Sequence, residues 1–272
     1  PEQSREIVDA LAGLGKPVTY CNVASACGHD AFLLPDDLET YGGMLRGFLS
    51  NLSQPPPGDA AAGEDVYGLN PSSIFHPRRL DYDRIVGLIP AGASVLDLGC
   101  GRGALLSRLR ARGHTRLTGV ELDERAVVDC ARAGLDVIQA DLNAGLGMFA
   151  DSQYDVVVLS HTLQAIRDVE RILDDMARVG RRVIVSFPNF GYHKLRRMLA
   201  EQGRAPESPG ILRFKWYNSP NIRFFTIADF EDLCRHKGLR LQQTIALDTE
   251  AGREVEADAN ALADMAIFVV SR

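Results

Sequence analysis

The sequence predicts an α/β fold with a mostly parallel, seven-stranded sheet. Three observations support this fold class. Apolar strands alternate with helical stretches, several strands are unbroken runs of valine, isoleucine and leucine, and one strand ends in a glycine-rich turn. Unbroken apolar runs such as 155–159 are typical of strands that a parallel sheet buries on both faces. The seven strands are predicted at residues 94–98, 116–121, 136–139, 154–160, 182–187, 239–247 and 266–270.

Residues 1–52 precede this pattern and form a short piece of their own. They predict a helix at about 5–14, a strand at 16–23, a turn at 28–30 and a helix at about 38–52. So few residues make a poor independent core. We therefore expect this segment to be loosely attached to the rest of the chain.

Residues 53–65 contain three consecutive prolines together with glycine, alanine and acidic residues. Such a composition cannot bury enough apolar surface to order itself, so we interpret it as a linker. The predicted organisation is a segment at 1–52, a linker at 53–65 and a domain at 66–272.

Residues 28–33 (Gly-His-Asp-Ala-Phe-Leu) and 15–20 (Gly-Lys-Pro-Val-Thr-Tyr) resemble the carboxyl end of the homoserine O-acyltransferases of methionine biosynthesis, which have an α/β-hydrolase fold. The resemblance implies that His29 is the general base of a catalytic triad and that Asp30 helps to bind homoserine. An ordinary loop histidine is the alternative. No G-x-S-x-G motif occurs in the sequence, so the nucleophile is missing and we expect no acyl transfer from these residues alone.

The strand at 94–98 carries Asp97 and runs into a turn at 99–103 that holds three glycines. Glycines let the backbone turn sharply and approach a ligand, and the helix predicted at 104–112 directs its amino end toward that ligand. The turn satisfies the dinucleotide pattern G-x-G-x-x-G/A and also fits acidic-x-Gly-x-Gly-x-Gly, the pattern of S-adenosylmethionine (SAM) methyltransferases. The Asp97 carboxylate favours a cationic, amino-acid-bearing ligand and repels a pyrophosphate. SAM is therefore the favoured cofactor.

The resemblance to class I SAM-dependent methyltransferases continues at the next two strands. Glu121 ends the second strand, where the family binds the ribose diol, and Asp141 follows the third, where it binds the adenine amino group. The alternative is that these acids are strand-end residues and helix caps. The cofactor residues assigned by the resemblance are Asp97, Gly99, Cys100, Gly101, Gly103, Glu121, Leu122, Asp141, Leu142 and Ser160.

The last two predicted strands have no helix between them, which indicates an antiparallel closing pair. This arrangement is typical of the methyltransferases and not of the dinucleotide dehydrogenases. A methyl acceptor would lie over the loops at 160–164 and 187–192, beyond the carboxyl ends of the strands. His161 is the candidate catalytic base there and Asn189 a candidate substrate contact, although a histidine at such a position often only caps a helix or bonds to the backbone. The Asn/Asp-Pro-Pro-Tyr motif of amino-group methyltransferases is absent.

Residues 187–191 (Phe-Pro-Asn-Phe-Gly) and 215–223 (Lys-Trp-Tyr-Asn-Ser-Pro-Asn-Ile-Arg) resemble the MetW family of methionine biosynthesis, with similarity from about Leu80 to Arg272. The sequence departs from that family at 192–194 and 213–215. The aromatic residues of this region form either a core layer or a binding surface; they are Phe187, Phe190, Trp216, Tyr217, Phe224 and Phe225.

The composition argues against several other classes. No apolar run reaches membrane-spanning length and no secretory signal is present, so we predict a cytoplasmic protein with no membrane partner. Five cysteines without a C-x-x-C pair argue against disulfides and a zinc site, and we predict no bound metal. A net charge of −6 gives no reason to expect nucleic acid.

Two functions follow from these resemblances. The first is a SAM-binding domain that acts with a homoserine O-acyltransferase as its partner or activator. The second is an active SAM-dependent methyltransferase whose small-molecule acceptor is unidentified. The lack of an acceptor motif favours the first, and fusion to an acyltransferase segment supplies a high effective concentration for such a partnership.

Overall fold

The computed structural model describes residues 2–23, 35–53, 80–208 and 212–272. The predicted linker therefore lies outside the described residues, except for Ser53. Contacts between residues divide the chain into two compact units, one of residues 1–64, 90–157 and 178–180 and the other of residues 65–89, 158–177 and 181–272. Within the described ranges, no helix is both long enough and apolar enough to cross a membrane.

The helices and strands follow one another in an alternating α/β order after the two amino-terminal helices. In chain order they are α1 (Glu2–Gly13), α2 (Pro35–Ser53), α3 (Asp81–Leu88), β1 (Val95–Leu98), α4 (Ala104–Ala111), β2 (Leu117–Glu121), α5 (Glu124–Arg132), β3 (Val137–Gln139), β4 (Tyr154–Ser160), α6 (Val169–Val179), β5 (Gly180–Pro188), α7 (His193–Gln202), α8 (Ile227–His236), β6 (Arg240–Asp248), β7 (Arg253–Glu254), α9 (Ala259–Leu262) and β8 (Met265–Ser271).

The strands form a mixed sheet in the order β3-β2-β1-β4-β5-β8-β6-β7. Strands β1, β2 and β3 pair in parallel, so their carboxyl ends lie at one edge. Strand β8 pairs antiparallel with both β5 and β6, which confirms the predicted antiparallel closing pair. The described sheet has eight strands and not seven, because the two-residue strand β7 pairs with the end of β6. The short helix α9 also lies between β6 and β8, where no helix was predicted.

Burial of apolar side chains holds the first unit together. Every residue of β1 is buried, and helix α5 turns Val127, Cys130 and Ala131 inward. The Asp123 side chain caps α5 by accepting a hydrogen bond from the Ala126 amide (2.9 Å). This cap satisfies one of the free amide groups at the helix amino end.

The amino-terminal segment packs in the first unit, where we expected loose attachment. Its two predicted helices are present as α1 and α2, and the predicted strand at 16–23 is reduced to one parallel bridge between Tyr20 and Ile138 of β3. The backbones of helices α2 and α5 are in close contact, since a Cβ atom on Gly47 would lie 2.8 Å from the Arg132 carbonyl oxygen. The edge of β3 and the end of α5 supply the partners that the isolated segment lacks.

The second unit has an aromatic core around strand β8. The rings of Phe187 and Phe268 stack with their centroids 5.6 Å apart, and Phe230 of α8 lies 4.8 Å from Phe268. A capping box between Thr226 and Asp229 fixes the start of α8.

Candidate functional site

The glycine turn after β1 adopts the left-handed backbone conformation that its sequence predicts. The φ angles of Gly99, Gly101 and Gly103 are 69°, 53° and 77°. Residues with a Cβ atom rarely adopt this region, so glycine is required for the turn to form without strain. The amides of Gly99 and Cys100 both donate to the Val120 carbonyl oxygen, at 2.8 and 3.1 Å, which fixes the turn against β2.

Two of these glycines have different surroundings. A Cβ atom on Gly103 would overlap the Leu135 side chain and lie 3.1 Å from Cys130 Sγ, whereas one on Gly101 would meet no atom within 4 Å. Position 103 therefore requires glycine, because the core leaves no room for a Cβ atom. Gly101 faces open space, as it must if a ligand is to approach its backbone.

Glu121 connects the glycine turn to the end of β2. Its Oε2 accepts a hydrogen bond from the Gly101 amide (2.8 Å), and its Oε1 accepts from the amides of Leu122 (2.7 Å) and Asp123 (2.9 Å). A carboxylate has about four lone-pair sites, so a ribose hydroxyl can still donate to it. The Leu122 side chain next to it is 59 % exposed, which leaves an apolar surface for a flat ring.

Asp97 lies near the end of β1 and is 3 % exposed. Its neighbour on β2 is Gly119, where a Cβ atom would lie 2.6 Å from Cys100 Sγ. A hydrogen bond with Cys130, burial and the nearby Asp97 and Glu121 carboxylates raise the pKa of Cys100 well above its ordinary value. The Cys100 thiol therefore stays neutral at physiological pH and packs as an apolar group, with no nucleophilic character.

Asp141 is exposed and caps the short 3₁₀ helix Leu142–Ala144. Its Oδ1 accepts from both the amide and the Nδ2 of Asn143, each at 2.9 Å, and the capping role weighed from the sequence is thus present. Leu142 is buried. The predicted adenine contact of Asp141 is untested and stays a prediction.

These residues fit SAM. The open face of Gly101 leaves room for a ligand, the Glu121 carboxylate can accept from a diol, Leu122 offers an apolar surface, and the Asp97 carboxylate suits a cationic ligand. The structure places nine of the ten predicted cofactor residues in the first unit, and Ser160 belongs to the second.

Ser160 and His161 lie in a buried polar cluster of the second unit. Ser160 Oγ donates to Asp81 Oδ2 (2.9 Å) and lies 2.7 Å from Ser186 Oγ. His161 Nε2 lies 3.5 Å from Asp81 Oδ2 and 3.1 Å from Met265 Sδ, and its side chain is fully enclosed. Its φ of 52° is in the left-handed region, which is uncommon outside glycine. The role of His161 as a catalytic base stays a prediction.

Asp81 is the member of this cluster that the sequence did not single out. It belongs to no motif and stands at the first position of α3. An acidic residue there is usually interpreted as an exposed charge that stabilises the helix amino end. Its complete burial was not apparent from that position.

The Asn189 side chain forms four hydrogen bonds to backbone groups. Its Nδ2 donates to the carbonyl oxygens of Asn260 (3.0 Å) and Ala263 (2.7 Å), and its Oδ1 accepts from the amides of Gly191 (3.0 Å) and Ile227 (3.2 Å). These four bonds use both donors and both lone pairs. The predicted substrate contact by Asn189 is untested, and it would require one of these bonds to be exchanged.

The six aromatic residues of the 187–225 region divide between core and surface. Phe187 is fully buried and Phe190 and Phe225 are partly buried, whereas Trp216, Tyr217 and Phe224 are 82 %, 70 % and 64 % exposed. The core-layer interpretation thus holds for Phe187, and the binding-surface interpretation of the exposed rings stays a prediction.

The predicted acyltransferase residues His29 and Asp30 lie outside the described residues.

The sheet order, the antiparallel closing strands and the glycine turn define the fold of the class I SAM-dependent methyltransferases. A methyltransferase of this class from Mesorhizobium loti matches with a TM-score of 0.54 at 16 % identity, over 71 % of this chain and 98 % of that one. The chain belongs to the family "Methionine biosynthesis protein MetW", whose model matches residues 79–270. The family and fold expected from the sequence are thereby confirmed.

Two curated relatives match all or part of this chain. The "Bifunctional methionine biosynthesis protein MetXA/MetW" of Rhodopirellula baltica is 42 % identical over 282 residues, which cover 100 % of this chain and 43 % of that protein. A homoserine O-succinyltransferase of Psychrobacter arcticus is 54 % identical over 50 residues, or 18 % of this chain and 11 % of that protein. The chain thus spans less than half the length of these curated relatives.

Proposed function

We propose that this chain is a SAM-binding domain of methionine biosynthesis that acts with a homoserine O-acyltransferase as its partner or activator. One observation carries the proposal: the segment that resembles an acyltransferase packs in the same compact unit as the glycine turn. The R. baltica relative, whose name joins MetXA and MetW, supports the same pairing.

SAM is the proposed ligand of the glycine turn. Glu121 would hold the ribose hydroxyls, Asp97 would face the cationic amino-acid end, and Leu122 would cover the adenine ring. SAM carries a transferable methyl group on its sulfonium sulfur. The chain's own contribution at this site is binding and orientation, and the neutral Cys100 thiol offers no nucleophile that would compete for the methyl group.

Two observations favour a partner role over a catalytic role for this chain. The candidate base His161 is enclosed by Asp81 and Met265, and the amide of Asn189 is fully engaged in holding the backbone. The exposed rings of Trp216, Tyr217 and Phe224 are typical of a protein-binding surface.

Calorimetric titration with SAM and with its demethylated product S-adenosylhomocysteine tests the cofactor. We expect both to bind and NADH not to bind. If neither adenosyl compound binds, the cofactor assignment is wrong.

An acyltransferase assay tests the partner role. The cognate homoserine O-acyltransferase is measured with and without equimolar chain, and the chain is expected to raise its turnover. The Trp216→Ala variant, whose exposed ring can be removed without opening the core, should bind SAM normally and activate less. Transfer of a labelled methyl group from SAM to a pathway metabolite, with no effect on acyl transfer, would instead establish the catalytic alternative.

A further inference from the structure

A continuous chain of hydrogen bonds connects the acyltransferase-like segment to the glycine turn. The connection begins at the edge of β3, where the Tyr20 amide donates to the Val137 carbonyl oxygen (2.8 Å) and the Gln139 amide donates to the Tyr20 carbonyl oxygen (2.9 Å). Arg5 Nη1 donates to the Gln139 carbonyl oxygen (3.0 Å). The segment thus pairs with an edge strand that would otherwise present unpaired backbone groups.

The Gln139 side chain carries the connection further. Its Oε1 accepts from the Asn22 amide (2.7 Å) and its Nε2 donates to the Leu122 carbonyl oxygen (3.3 Å). A side-chain amide has a donor at one atom and an acceptor at the other, so a rotated amide would break both bonds. A shift of the Leu122 carbonyl group would therefore disturb the orientation of the Gln139 amide and its bond to Asn22.

The position of Leu122 depends on Glu121. The Glu121 carboxylate accepts from the amides of Leu122, Asp123 and Gly101, so one side chain fixes both the backbone after β2 and the glycine turn. The same carboxylate is the group that would receive a ribose diol. A ligand that restrains Glu121 also restrains the Leu122 carbonyl group and, through Gln139, residues 16–23.

We infer that an adenosyl ligand at Glu121 and the attachment of residues 16–23 to β3 are thermodynamically linked through Gln139. The inference rests on the proposed function, because it takes SAM as the ligand of the glycine turn. Linkage is reciprocal, so the ligand tightens the attachment and the attachment raises ligand affinity by the same factor. In the sequence, His29 and Asp30 follow Asn22 by seven and eight positions.

Hydrogen exchange on the unmodified chain tests the linkage directly. Saturating S-adenosylhomocysteine should slow exchange of the Tyr20 and Asn22 amides, read from peptides that cover 16–23, by at least threefold. Unchanged exchange under saturation would overturn the inference and leave the proposed function standing. If the unmodified chain does not bind the ligand at all, the cofactor assignment fails and the linkage fails with it.

A matched pair of variants at Asn22 tests the reciprocal effect. The donor to Gln139 is the backbone amide of Asn22, which Asn22→Pro removes and Asn22→Ala keeps. We expect Asn22→Pro to weaken S-adenosylhomocysteine binding about threefold to tenfold, the range of one neutral hydrogen bond, and Asn22→Ala to bind like the wild type. Gln139→Leu should reproduce the loss. Equal affinity in all four proteins would contradict the linkage.

Discussion

Alanine substitutions at Gly101 and Gly103 should separate ligand binding from folding. Both glycines have a positive φ, so each alanine pays a backbone cost of about 1 kcal/mol for the left-handed region. At Gly101 the added methyl group meets no atom within 4 Å, so the backbone cost is the whole effect on stability. The methyl group enters the open face of the turn, where the ligand would lie.

At Gly103 the same substitution also overpacks the core. The new methyl group overlaps Leu135, which is 3 % exposed, and lies 3.1 Å from Cys130 Sγ, so Leu135 must move. Overpacking of this kind adds about 1–3 kcal/mol. The free energy of unfolding should therefore fall by about 1 kcal/mol in Gly101→Ala and by about 2–4 kcal/mol in Gly103→Ala.

Urea unfolding followed by circular dichroism measures the stability of both variants, and calorimetry measures their affinity for S-adenosylhomocysteine. Gly101→Ala should lose at least about tenfold in affinity, or about 1.4 kcal/mol, while remaining folded. Wild-type affinity in folded Gly101→Ala would refute the assignment of the turn as the ligand site. Equal stability of the two variants would refute the packing argument for Gly103.

Three further predictions concern groups away from the glycine turn. Burial, with a smaller contribution from the Glu124 carboxylate, raises the pKa of Cys21 to about 11. Because thiolate content falls about tenfold per pKa unit, its alkylation by iodoacetamide at pH 8 should be about 100-fold slower than that of an ordinary thiol, as peptide mapping would show, and urea should abolish the difference. Burial also raises the pKa of Asp264, against the opposing hydrogen bonds from Thr249. The folded state then holds the proton more tightly than the unfolded state. The free energy of unfolding of the wild type, relative to that of Asp264→Asn, should therefore fall as the pH rises from about 3.9. Parallel curves of unfolding free energy against pH for the two proteins would contradict this. Asn189→Ala should lower the free energy of unfolding by about 2–4 kcal/mol, since it strips partners from the buried Gly191 and Ile227 amides; a loss below about 1 kcal/mol would show that water replaces the side chain.

Local sequence patterns predicted the glycine turn and most of its neighbours. Asp97 lies near the end of β1, the three glycines at 99, 101 and 103 follow that strand, and Glu121 ends β2. Parallel strands bring their carboxyl ends to one edge. The spacing of these residues along the chain is therefore enough to place them together. The same reasoning predicted the antiparallel closing strands, because no long helix separates them.

Local patterns did not reveal residues whose role depends on contacts between distant positions. In the sequence, Gln139 is an ordinary polar residue at the end of a strand. Only the fold shows that its side-chain amide bonds to both Asn22 and Leu122. In the sequence, Asp81 is an acidic residue at the start of a helix. Only the fold shows that it is buried beside Ser160, which is 79 positions away.

The sequence by itself determined the class of this protein: an α/β fold, a SAM-type glycine turn and two segments that resemble MetW and a homoserine O-acyltransferase. The fold class and the glycine turn rest on short-range spacing, which backbone sterics and hydrophobic periodicity translate directly into local structure. The two resemblances rest on particular residue strings, such as 28–33 and 187–191. The tertiary structure alone decided that the acyltransferase-like segment is attached to β3 and α5. That attachment depends on an edge strand with free backbone groups and on a close approach of Gly47 to α5, neither of which a local pattern records.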